Sequence, residues 1–93
     1  MQYYVYLIVT KNNSTLTSYV GYTNNIKKRL NKHNTSRGAK FTKGRFWKLI
    51  YKKKYSNKKI AMKEEYKLKK NYKLRYKLKN IYLTNENNCN FTI

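Results

Sequence analysis

The sequence predicts an α/β protein of the mixed, α+β, kind: a small three-stranded antiparallel sheet flanked by about three helices, in the order ββαβαα. Two apolar runs, YYVYLIVT at 3–10 and TSYVGYT at 17–23, are rich in aromatic and β-branched residues and stand either side of the polar cluster Lys11-Asn12-Asn13-Ser14, the pattern of a hairpin. Further along, apolar residues recur at helical spacing in two segments with a period-two segment between them. Ninety-three residues, 40% hydrophobic and 16% aromatic, suffice for one modest core and hence one domain, which burying about 60 to 65% of the unfolded surface would stabilise.

After the hairpin, residues 24–34 place Ile26 and Leu30 four apart with His33 three further on, and Thr23 or Asn24 is available as the N-cap of a first helix. Residues 34–45 hold Gly38 and Gly44 among four basic residues with no apolar period, which predicts a loop. Phe46 to Lys53 alternates Trp47, Leu49 and Tyr51 with lysines and neighbours, the period of a third strand. Ser56 is expected to cap a second helix carrying Ile60, Ala61, Leu68 and Tyr72 on one face. Residues 72–82 fit both periods; Leu74, Leu78, Ile81 and Tyr82 favour a short third helix. The domain is therefore expected over 1–83, with a polar tail over 84–93.

Charge narrows the function. There are 23 Lys and Arg against three acids, Glu64, Glu65 and Glu86, and no aspartate, for a formal net charge of +20. Such a field attracts polyanions and repels itself when none is bound, so nucleic acid is the expected partner. Three glutamates, two of them adjacent, are poor material for a two-metal site, which needs several converging carboxylates. An Asp-containing triad is excluded, and the three glycines form no phosphate-binding GxxxxGK[ST] loop. One cysteine, Cys89, excludes an internal disulfide, and one Cys with one His cannot close a four-ligand zinc site. The longest apolar run, Tyr3 to Val9, is too short to span a bilayer. The expectation is an intracellular protein with no membrane and no small-molecule substrate, of unknown oligomeric state.

Tyr4-Val5-Tyr6 and Tyr19-Val20-Gly21 occupy neighbouring strands, so their phenols can meet, and Arg29 and His33 lie four apart on one side of the following helix. The residues Tyr4-Val5-Tyr6-Leu7-Ile8, Tyr19-Val20-Gly21-Tyr22-Thr23, Lys28-Arg29-Leu30-Asn31-Lys32-His33-Asn34, Gly38-Ala39-Lys40-Phe41-Thr42-Lys43-Gly44, Leu49-Ile50-Tyr51 and Ala61 with Glu65 and Lys69 follow in order. This succession, from residue 3 to about 70, resembles the GIY-YIG nuclease family, whose small stand-alone members read YVYLL, YxGxT, RRLxxHN, GAKYTRG, an LVY strand and AxxxExxxK. The first triplet departs from the family name, and Tyr66 replaces a small residue often found beside the glutamate. Neither removes a reacting group.

The resemblance implies a metal-dependent endonuclease with Tyr6, Tyr19, Arg29, His33 and Glu65 at catalytic positions. Glu65 would hold one Mg²⁺ or Mn²⁺, a Lewis-acid role that needs a single carboxylate. Arg29 would offset charge on the phosphate, and Tyr6 or Tyr19 would activate the attacking water, helped by neutral His33; which tyrosine does so stays open. A surrounding positive field is expected to favour tyrosinate. Glu64 competes with Glu65, but it lies midway between Ile60 and Leu68 on the apolar face, whereas Glu65 sits at the rim beside Ala61. Arg37, Lys40, Lys43 and Arg45 are expected to grip flanking phosphates, which gives affinity without sequence readout and a substrate, DNA or also RNA, chosen by shape. Two alternatives remain: a non-catalytic basic DNA- or RNA-binding module, and a membrane-surface protein using the lysine-rich helices.

Overall fold

The computed structural model describes residues 2–12, 15–35, 42 and 44–91, with side chains as far as residue 85. Its elements are β1 (Tyr3–Asn12), β2 (Thr15–Thr23), α1 (Ile26–Asn34), β3 (Lys48–Tyr55), α2 (Lys58–Lys70) and α3 (Tyr72–Phe91). The order is the expected ββαβαα. Both pairings in the sheet are antiparallel and the strand order is β2-β1-β3, so β1 is central.

Covering on both faces explains why β1 reads as an unbroken apolar run rather than an alternating one. Val5 and Leu7 join Val20 of β2 and Ala61 and Leu68 of α2 in one buried cluster, with Leu74 and Leu78 of α3 packed against it. Tyr6 and Ile8 face the other way and join Trp47, with Tyr19, Leu49, and Ile26 and Leu30 of α1 around them. The result is three layers, and β1 from Val5 to Thr10 is buried throughout.

Several boundaries differ from expectation. The first helix is capped by Asn25, whose Oδ1 accepts from Lys28 N–H at 3.1 Å, while Thr23 Oγ1 instead accepts from Asn25 N–H at 3.2 Å. Asn57 replaces Ser56 as the cap of α2, accepting from Ile60 N–H at 2.9 Å. In both cases the capping side chain belongs to the extended residue whose oxygen reaches three residues on. The third strand begins at Lys48, not Phe46, because the backbone of Trp47 is already engaged: its N–H donates to Asn34 Oδ1 at 2.6 Å and its C=O accepts from Asn34 Nδ2 at 3.1 Å. A register shift opposite Leu7 and Ile8 follows in β3. The third helix runs on past Tyr82 to Phe91, through a polar stretch with no apolar period to announce it.

Candidate active site

Tyr6 pairs across the hairpin with Gly21. A Cβ on Gly21 would lie 2.5 Å from Tyr6 Cζ, so the phenol can cross its neighbour strand only because residue 21 has no side chain. That crossing sends the Tyr6 hydroxyl towards α1. There Arg29 and His33, one turn apart, meet it.

The bond directions follow from what each group can donate. Arg29 Nε–H only donates, so Tyr6 Oη accepts from it at 3.4 Å and keeps its own proton for His33 Nε2 at 2.8 Å. A neutral imidazole then carries its one proton on Nδ1, which donates to Thr42 Oγ1 at 2.9 Å. Thr42 is itself buried and fixed, its C=O accepting from Trp47 Nε1–H at 3.0 Å. Tyr19 closes the cluster with an edge-on contact to His33 at 5.2 Å between centroids and another to Trp47 at 6.4 Å.

Burial sets the protonation states. His33 is fully buried, and desolvation, followed by the charge of Arg29, lowers its pKa to about 4, so the imidazole is neutral. For Tyr6 the expectation of a field-favoured tyrosinate does not hold: desolvation outweighs the hydrogen bond and charge of Arg29 and pushes the phenol up to about 12. Hydrogen bonding to Tyr6 raises the Arg29 pKa, with the nearby phenols of Tyr6 and Tyr19 adding to it.

The two candidate carboxylates face different neighbours. The charge of Glu65 weakly raises the pKa of Tyr6 and that of Glu64 raises the pKa of Tyr55 on β3, so the two carboxylates lie in different surroundings. Against the expectation of a rim position for Glu65, it is the more enclosed of the two, at 15% side-chain exposure against 31% for Glu64, and it pairs with Lys69 at 3.3 Å. No group of three or more His, Cys, Asp or Glu able to hold a metal occurs among the described residues. Arg45 lies away from the cluster, on a cavity at the far end of β1. Arg37, Lys40 and Lys43 lie outside the described residues.

Tyr6, Tyr19, Arg29 and His33 are thus brought together, while the contact of Glu65 is with Lys69 on its own helix. Thr42, Asn34 and Trp47, which hold one another and His33 in place, carried no role in the sequence reading of the site; Thr42 and Asn34 stand inside the motifs that carry the resemblance, which marked their positions but not their contacts.

A three-layer domain with a Tyr–Arg–His cluster bridging a hairpin and its following helix is the frame of a GIY-YIG nuclease. The family model for the GIY-YIG catalytic domain matches residues 2–80, and the chain belongs to that family. Its relatives include a UPF0213 protein of Oceanobacillus iheyensis, 46% identical over 69 residues that span 73% of this chain and 77% of the relative. The UPF0213 protein YazA of Bacillus subtilis is 39% identical over 87 residues, 92% of this chain and 82% of the relative. A solution NMR structure of a UPF0213 protein from Bacillus halodurans aligns with a TM-score of 0.46 and 31% identity, covering 87% of this chain and 85% of that one. Family membership implies a nuclease-type function acting on nucleic acid, and nucleases of this family generally use divalent metal ions. Among the described residues no helix is long and apolar enough to cross a membrane.

Proposed function

We propose that the protein is a metal-dependent endonuclease that hydrolyses DNA phosphodiester bonds, RNA being a second possible substrate, and that selects single strands, flaps or junctions by shape. The observation that supports this most is the buried hydrogen-bond chain from Arg29 through Tyr6 to His33 and Thr42.

In this reading water attacks phosphorus as Tyr6 Oη takes the water's proton and passes its own to His33 Nε2. Because burial holds the His33 pKa at about 4, the proton moves along this chain only in concert with attack on phosphorus, and the imidazolium gives it up to solvent afterwards. Tyr19 packs the imidazole edge-on and keeps it facing Tyr6. Arg29 pairs with the phosphate and offsets charge as the bond to the 3′ oxygen breaks. Glu65, as a lone carboxylate, fits Mg²⁺ or Mn²⁺, hard ions that keep several waters and take phosphate oxygens rather than an all-protein cage. Such an ion acts as a Lewis acid on the phosphate when bound. Lys69, half exposed, can withdraw to solvent from its pairing with Glu65. Arg37, Lys40, Lys43 and Arg45 would hold flanking phosphates.

The test is incubation with labelled single-stranded, duplex, flap and branched DNA and single-stranded RNA, with Mg²⁺, Mn²⁺ or chelator. Metal-dependent cutting is expected, Glu65→Gln abolishing it while leaving binding within a fewfold, and Glu64→Gln remaining active. Reversal of the two variants would move the metal to Glu64; binding without any cutting would make the protein a non-catalytic module.

A further inference from the structure

We propose that the cavity beside Phe46 is a subsite for one unpaired base of the substrate strand. The inference deepens the nuclease reading above and rests on it for the kind of ligand. The cavity, about 500 Å³, lies at the end of β1 away from the N-terminus, where Val9 pairs with Lys48. Apolar surface comes from Phe46, Leu16 and Tyr82. Lys11, Arg45 and Lys48 bring positive charge to the same walls. A planar apolar body joined to an anionic backbone satisfies both halves of that lining, and an unstacked nucleotide is that combination.

Phe46 is 68% exposed while its neighbour Trp47 is 1% exposed. The contrast is built, not incidental. Asn34 clamps the Trp47 backbone from both sides and Thr42 C=O accepts from its indole, so the residue before it is projected away from the core by a fixed support. The same support holds His33 through Thr42, which ties the cavity to the reacting cluster. Along β1, Tyr6 to Thr10 spans about 13 Å at about 3.3 Å per residue. That is the length of about four stacked nucleotides. The captured base would therefore lie within a few nucleotides of the cut.

A free mononucleotide shares this chemistry, so the assay must separate it from a strand. Binding is measured by fluorescence anisotropy in chelator, which prevents cutting, for the wild type, Phe46→Ala and Phe46→Trp. The ligands are a single-stranded oligonucleotide, a strand of equal length whose residues are all abasic, and a blunt duplex, with deoxyadenosine monophosphate as competitor. Phe46→Ala should weaken single-strand binding about 5- to 100-fold, the scale of one lost base stack. Phe46→Trp should restore it, and abasic and duplex binding should stay within twofold. Single-strand affinity unchanged in Phe46→Ala, or an equal loss on the abasic strand, would overturn the subsite. Full competition by the mononucleotide at concentrations that leave abasic binding intact would overturn its assignment to a strand. Wild-type cutting in Mg²⁺ is scored separately: no cutting with the Phe46 dependence intact removes the nuclease, and cutting without that dependence removes only the subsite.

Discussion

His33 is the sole histidine of the sequence, so its protonation can be read without competing signals. Its folded pKa of about 4 lies below the ordinary 6.5, so between those values the unfolded chain binds the extra proton and the folded one does not. Stability attached to the neutral ring is complete above about pH 6.5 and is lost as pH falls towards 4, by up to about 3 kcal/mol. The imidazole resonances should therefore hold steady through pH 5.5 and move only near 4, and a midpoint near 6.5 would show that the ring is neither buried nor bonded as described. Thr42→Val tests the support directly. It leaves Nδ1–H without its acceptor, which should destabilise the fold by about 1–3 kcal/mol and change the imidazole nitrogen shifts, while Thr42→Ser should restore both. Tyr6, Arg29 and His33 were legible in sequence through the ordered motifs that carry the family resemblance, while spacing alone put only Arg29 and His33 on one side of a helix. Thr42 was not, because a threonine between Phe41 and Lys43 in a basic loop looks like any solvated hydroxyl.

The elements themselves were legible wherever one period dominated. α1 and α2 each show theirs and the hairpin strands were marked by aromatic and β-branched runs around a polar turn, while the true starts of α1, α2 and β3 depend on which asparagine side chain wins a backbone partner. Asn25, Asn57 and Asn71 each cap a helix, and Asn34 ends a strand before it can begin. In a chain crowded with asparagine, nothing local marks the ones that do so. The extension of α3 past Tyr82 was hidden because it runs through polar residues, and the ties that fix the helix, Lys79 Nζ to Leu16 C=O at 3.2 Å and Arg75 to Ser18 Oγ at 3.4 Å and to Lys69 C=O at 2.9 Å, lie before it beside Leu74 and Leu78. Pairing between β1 and β2 makes a sharper prediction. In Gly21→Ala the new methyl meets the Tyr6 ring, so either the ring leaves the cluster or the strands part. Denaturant melts should show a loss of about 1–3 kcal/mol, the cost of overpacking. Cleavage should fall with it even under conditions where the variant is fully folded. Gly44→Ala is the contrast, since its Cβ would meet nothing within 4 Å and only its φ of 74° opposes the change.

Across the whole molecule the net charge of +20 has few internal partners to offset it. The ion pairs of the described residues, Glu64–Lys67 and Glu65–Lys69, both lie within α2. Part of the surplus guards the sheet: β3 is an edge strand, and exposed Lys52, Lys53 and Lys54 discourage pairing with another chain. The remainder leaves the free protein repelling itself, which screening relieves. Added monovalent salt should therefore raise the melting temperature while weakening nucleic-acid binding, two opposite responses from one cause. If about five to eight lysines and arginines meet phosphates, log affinity for single strands should fall against log salt with a slope of about −4 to −6, near −0.7 per contact. Sequence should matter little to that slope, because phosphate contacts carry no base information. Phe46→Ala should lower the line without tilting it, since a stacked ring releases no counterions. Titrations at four or five salt concentrations measure both quantities. A slope shallower than about −2 would mean that the charge serves the fold's own solubility and edge protection rather than a strand, and a slope altered by Phe46→Ala would mean that the ring's loss moves the cations beside it.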